Sequence, residues 1–167
     1  NNEGQNWAPS QAAGGSPGAV NSVASSVSAP MIRDVHHDPI IPRSGETVTV
    51  TARLVSAVPD EAAVLFWRVA GEQDWNSQEL IESGREHRSA EIPAHADMTV
   101  IEFYIEATSG GEGRTWPGPV QPAGQQEANA LFQFDDSYDG AARWIPGAQP
   151  KYRIVMTEAE RAELADI

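Results

Sequence analysis

The sequence predicts an all-β domain, a two-sheet β-sandwich of about seven strands. Three observations predict it. Stretch 99–108, TVIEFYIEAT, alternates strictly, with Ile101, Phe103, Ile105 and Ala107 on one side and Glu102, Tyr104 and Glu106 on the other. Stretch 47–55, TVTVTARLV, does the same, with Val48, Val50, Ala52 and Leu54 facing one way. This is the period of strands with one buried face, and their β-branched and aromatic residues suit a pleated, half-buried surface. Between these runs, clusters of Gly, Pro, Asp and Ser recur about every 8–12 residues, the turn spacing of a sandwich.

Taken in order, residues 1–28 hold one charged residue, Glu3, amid Asn, Gln, Gly, Ser, Ala and Pro around Trp7. That composition reads as a linker or tail. Order is expected from Ala29-Pro30, with Met31, Ile32 and Val35 in an edge strand ended by His36-His37-Asp38-Pro39; Pro39 and Pro42 suit an edge or loop. Residues 43–46 read as a turn before the 47–55 strand. Pro59-Asp60 marks the next turn, and AVLFWRV, 63–69, is a second core strand with Leu65, Trp67 and Val69 on one face and Phe66 and Arg68 on the other. A hairpin loop at 71–74 leads to one returning strand over 75–81. Ser83-Gly84 turns again, 87–92 forms a short strand, and the 99–108 strand follows. Residues 109–113 read as a turn before Arg114-Thr115-Trp116-Pro117, and 117–127 as a loop. Residues 129–134 supply a last strand anchored by Leu131 and Phe132. Residues 136–149 read as a linker and 151–156, KYRIVM, as a strand. Thr157 with Glu160 three residues on is a capping box opening a short helix.

Length and composition bound the function. The 167 residues suit one ordinary domain with flanking segments. A net charge of −13 leaves no basic patch for nucleic acid or an anionic membrane surface. With no cysteine, disulfides, thiolate metal sites and cysteine nucleophiles are excluded. No apolar run approaches the roughly 18 residues of a membrane span. NNEGQNWAPS has neither the basic nor the apolar region of a signal peptide.

The candidate chemistry is sparse. His36 and His37 are adjacent, so on a strand they point to opposite faces and do not share a metal; they read as solvated loop residues. Asp135, Asp136 and Asp139 form an acidic run whose spacing does not match a calcium loop; a solvated linker is favoured over an inter-domain calcium site. Glu102 and Glu106 lie about 13 Å apart along a strand, too far for a retaining carboxylate pair, and read as outward residues paired with Arg53, Arg68 or Arg88. No phosphate loop or nucleophile elbow is present, so no catalytic residue and no cofactor is expected. An enzyme reading would need a pocket that gathers His87 or His95 with carboxylates. Trp67 reads as core. Trp75 and Trp116 sit beside loops; packing is favoured, and exposed they would be the candidate ligand-binding residues.

Two ends of the chain carry a resemblance. PKYRIVMTEAERAEL, 150–164, is similar to the entry of CotH-type, spore-coat-associated kinase-like domains. NWAPSQAAGGSPGAVNS resembles the exit of a bacterial lamin-tail-like domain. Between them, PMIRDVHHDPIIPRSGETVTVTARLV through FYIEAT and ANALFQFDD resembles an immunoglobulin- or fibronectin-III-like module. The resemblance implies a segment of a large secreted bacterial surface protein: residues 1–28 ending a preceding domain, 29–135 an immunoglobulin-like sandwich, 136–149 a linker, and 150–167 the start of a CotH-like domain whose catalytic residues would lie beyond Ile167. The expected role is a non-catalytic spacer or presentation module, extracellular or at the cell surface. Its partners would be neighbouring domains of the same chain. The alternative is a carbohydrate- or polymer-binding module using Trp75 and Trp116, with a polysaccharide as partner.

Overall fold

Two antiparallel sheets pack face to face in the computed structural model, which describes residues 29–56, 61–84, 86–118, 128–140, 145–149 and 152–166. The first sheet contains β1 (Met31–Asp38), β2 (Val48–Val55), β6 (His87–Ile92) and β5 (Ile81–Gly84), in the order β1-β2-β6-β5. The second contains β4 (Asn76–Glu79), β3 (Glu61–Val69), β7 (Val100–Ser109) and β8 (Glu112–Trp116), in the order β4-β3-β7-β8, with β9 (Ala130–Gln133) also on β7. The order is that of an immunoglobulin-like sandwich, four strands facing five, with β4 at one edge of the second sheet and β8 and β9 sharing the other.

The alternating runs take the places their period predicts. Every second residue of β2, from Val48 to Leu54, is buried. On β7 the inner row is Ile101, Phe103, Ile105 and Ala107. These pair across the sheet with Val69, Trp67, Leu65 and Ala63 of β3, so both central strands present one apolar face to the first sheet. Of the expected core, Trp67 and Val69 are half-buried at its margin. Phe132, Phe134, Leu80 and Ile92 complete it.

The structure corrects several expectations. The expected single strand over 75–81 is divided: β4 pairs with β3 in one sheet, β5 with β6 in the other. The chain crosses between sheets at Leu80, fully buried, whose N–H donates to the Ala63 carbonyl at 2.9 Å. The turn expected over 109–113 is shorter: Ser109 ends β7, and Glu112 and Gly113 open β8, which continues through 114–116. Gly110 (φ 57°) and Gly111 (φ 85°) form a two-residue turn between β7 and β8, with Ser109 opposite Glu112. Both central residues at positive φ match the right-handed twist of a tight hairpin, which glycine adopts without steric cost. β8 pairs with the second half of β7 and β9 with the first half, so one edge is built from two pieces. These two divisions account for nine strands among the described residues in place of about seven.

β1 does not end at His36. It runs on through His36 and His37 after a bulge at Asp34 (φ 52°), and His36 and His37 pair opposite Thr51 and Val50. The strand expected over 151–156 does not form at 152–156, which find no ladder partner among the described residues; Lys151 lies outside them. Helix α1 (Glu158–Ala165) carries the expected capping box, with the Glu160 N–H donating to the Thr157 hydroxyl and the Thr157 N–H to the Glu160 carboxylate; it buries no residue. The expected tail 1–28, the Pro59-Asp60 turn and most of the 117–127 loop lie outside the described residues.

Candidate functional site

Trp75 and Trp116 are placed on opposite faces of the second sheet. Trp116 stands opposite Ile105, on the inner face, half-buried against the core with its ring centroid 6.0 Å from that of Phe103. Its ring packs partly on the core, and it keeps some accessible surface, as Trp75 does. Trp75 lies just before β4 and turns to the outer face. It meets Tyr104 edge-to-face at 4.9 Å, and the Arg68 guanidinium sits 4.3 Å from the centre of its ring. Tyr104 in turn stacks on Phe66, its cross-strand neighbour, at 4.8 Å and 9°. The outer face therefore carries one cluster, Phe66, Tyr104, Trp75 and Arg68, each half-buried. Burial, reinforced by the Glu106 charge, raises the Tyr104 pKa, so its hydroxyl stays protonated.

The signal for this cluster was present in the sequence as the second face of each alternating run, Phe66 and Arg68 on β3 and Tyr104 on β7. What the sequence could not supply is the register that sets Phe66 beside Tyr104, or the loop course that lays Trp75 over Arg68. Glu102 faces outward as expected and pairs with Arg68, one of the partners anticipated, at 2.8 Å, yet it is only 6 % exposed because its neighbours cover it. The Asn129 side-chain amide covers it from the other side and donates to the same carboxylate oxygen at 2.9 Å. Glu106 is exposed, Arg53 pairs with Glu86, and Arg88 pairs with Glu61.

The acidic run 135–139 closes one end of the sandwich. The Asp135 N–H donates to the Pro42 carbonyl at 2.8 Å, and its carboxylate accepts from the Ser137 N–H and hydroxyl and pairs with Arg153. The Asp136 carboxylate accepts from the Ser44 N–H at 2.7 Å and hydroxyl at 2.6 Å, while its own N–H donates to Asp97 at 2.8 Å. Arg43 donates to the Tyr138 carbonyl at 2.6 Å, and Arg153 stacks 5.6 Å over the Tyr138 ring. The hydrogen bonds from Ser137 and Ser44 hold both carboxyls below the ordinary aspartate range. Asp135, Asp136 and Asp139 do not converge on one point: no group of three or more His, Asp or Glu with metal-binding geometry occurs among the described residues.

The histidines are not solvated loop residues as a class. His36 is exposed, whereas His37 is half-buried, its ring 4.8 Å from Phe132 and 6.2 Å from Phe103, with Nδ1 within 2.9 Å of the Pro39 carbonyl oxygen. His37 also lines a cavity of about 300 Å³ with Ile40, Ile41, Phe132, Arg153 and Val155. His95 is wedged between Trp67 (5.5 Å) and Phe134 (5.6 Å), and its Nε2 is buried with no hydrogen-bond partner. Burial lowers its pKa, opposed by the charge of Glu72. Of the two histidines an enzyme reading would need, His87 opens β6 and His95 stands between Trp67 and Phe134 in the β6–β7 connection.

Compared with known proteins, the chain matches no family model and no curated sequence.

Proposed function

We propose that residues 29–135 are a non-catalytic spacer that holds neighbouring parts of one longer chain apart and presents them outside the cell. The observation that carries this reading is that the chain enters and leaves the sandwich at opposite poles. Met31 opens β1 opposite Val55, at the pole where the Ser56 and Ser109 hydroxyls lie 2.8 Å apart. Phe134 leaves β9 at the other pole, its N–H donating to the Thr99 carbonyl at 2.9 Å. The ten residues of β7 bridge the two poles and set a separation of about 30 Å. A spacer also needs a defined exit angle, and the ties of Asp135, Asp136 and Tyr138 to residues 42–44 supply one. The lamin-tail-like and CotH-like character of the flanking sequences provides the neighbours such a module would separate.

The chain has no cysteine, so a pair of introduced labels is unambiguous. Spin labels at Met31→Cys and Tyr138→Cys are expected to give one narrow distance distribution near about 30 Å. A broad or much shorter distribution would remove the basis of the spacer reading.

A second reading is favoured by the outer-face cluster: binding of a polysaccharide against Trp75, Tyr104 and Phe66. Trp116 is the weaker candidate, since it sits on the inner face against Phe103. Tryptophan fluorescence with a polysaccharide panel, repeated in Trp75→Phe and Trp116→Phe, separates the two. A spectral shift lost only in Trp75→Phe establishes binding; no shift with any glycan leaves the spacer.

A further inference from the structure

His95 lies in the connection between β6 and β7, at the pole where the chain exits. Its ring fills the gap between Trp67 of β3 and Phe134, which follows β9. Phe134 is fully buried, and its backbone is the first segment after β9. The Met98 N–H donates to its carbonyl at 2.8 Å, and its own N–H donates to the Thr99 carbonyl. The next residue, Asp135, begins the ties to Pro42, Ser137 and Arg153. The imidazole is thus a wedge between one sheet and the segment that carries the C-terminal arm.

The wedge is built for a neutral ring. Nε2 is buried without a partner, and a protonated imidazole donates from both nitrogens. A buried N–H without an acceptor, carrying positive charge, is strongly disfavoured. The acidic groups around it do not supply that acceptor. Glu72, on the turn after β3, contributes its charge, which favours the protonated ring. Asp97, on the same connection, accepts the Asp136 N–H; Asp135 is engaged by Ser137 and Arg153, and Asp136 by Ser44.

We propose that His95 is an acid-sensitive latch on the exit pole: it stays seated between Trp67 and Phe134 only while neutral, and its protonation frees the β6–β7 connection and loosens the arm that begins at Asp135. The latch stands on the packing at this pole and does not depend on the spacer reading. The sign is fixed by the environment. A histidine with its folded pKa lowered contributes stability that is present above about pH 6.5 and is lost as the pH falls below it.

The experiment is amide hydrogen exchange of the full chain at about pH 7.5 and about pH 5, each corrected for intrinsic exchange, in wild type and His95→Phe. The expected result is a loss of protection at the Met98, Phe134 and Asp135 amides at the lower pH in wild type, and no loss in His95→Phe, while β2 amides stay protected in both. Equal loss in both proteins overturns the latch, because one of the other three histidines would then be responsible. The ring protons of His95 in wild type give a second measurement that needs no variant. A midpoint below about 6.5 supports the proposal, and one at or above it overturns the proposal.

Discussion

Single residues carry the polar stakes of this sandwich. Glu102 is 6 % exposed and is held by Arg68 and Asn129 on one oxygen. Removing the cation leaves a buried carboxylate with one neutral donor. Arg68→Ala is therefore expected to cost about 2–4 kcal/mol, at or below the range for breaking a buried pair because Arg68 itself is partly exposed. Urea unfolding checks it, and a loss under about 1 kcal/mol, typical of a surface pair, would show that Glu102 is solvated in practice. Asp136 gives a pH-dependent case. Its folded carboxyl is held low by Ser44, so the stability it contributes is complete above about pH 4 and is lost as the pH falls through the depressed value. Asp136→Asn is expected to lie below wild type in urea midpoint at neutral pH and to converge with it in acid. Parallel curves across the whole range would assign the effect to lost geometry and not to charge.

Elements show where local pattern yields to packing. The run 76–84 looks like one strand and a turn, yet it serves both sheets, with Leu80 as the pivot between them. Leu80→Ala is expected to cost about 2–5 kcal/mol, the range for a fully buried leucine. A value near zero in chemical denaturation would mean that the crossover is held by backbone bonds alone. Helix α1 is the opposite case. Its capping box was legible from Thr157 and Glu160 and forms as expected, but no residue of the helix is buried. Thr157→Ala is expected to raise the local exchange of amides 160–165 by an amount corresponding to about 1 kcal/mol. The global unfolding midpoint should not move, and a clear shift would reveal packing of α1 on the sandwich.

At the scale of the whole molecule, one aromatic chain ties the sheets together. Phe103 lies within 6.2 Å, ring centre to ring centre, of His37, Trp116 and Phe132, and Phe132 reaches Phe134, which meets His95 and so Trp67. Phe103 is 2 % exposed at the centre of this chain. Phe103→Ala is expected to cost about 3–5 kcal/mol. That is a large share of the roughly 5–15 kcal/mol that stabilises a domain. A melting temperature close to wild type would show that the core is held elsewhere. The same chain couples the interior to the exit pole, since Phe134 is both a core ring and the start of the clamp around Asp135.

Much of this architecture was legible without coordinates. Strict alternation in 47–55 and 99–108 determines strands with one buried face, because a period of two leaves one arrangement that hides every apolar side chain at once. The turn clusters and the capping box are equally local, set by backbone dihedrals and side chains within a few residues. The tertiary structure alone decided what depends on partners distant in the chain. It divided 76–84 between sheets, continued β1 through His36 and His37, buried Glu102 beneath Arg68 and Asn129, turned Trp116 inward and Trp75 outward, and left 152–156 without a ladder. Each of these turns on which strand lies beside which, and in what register. Register is chosen by the fit of whole faces, so no short window of sequence contains it.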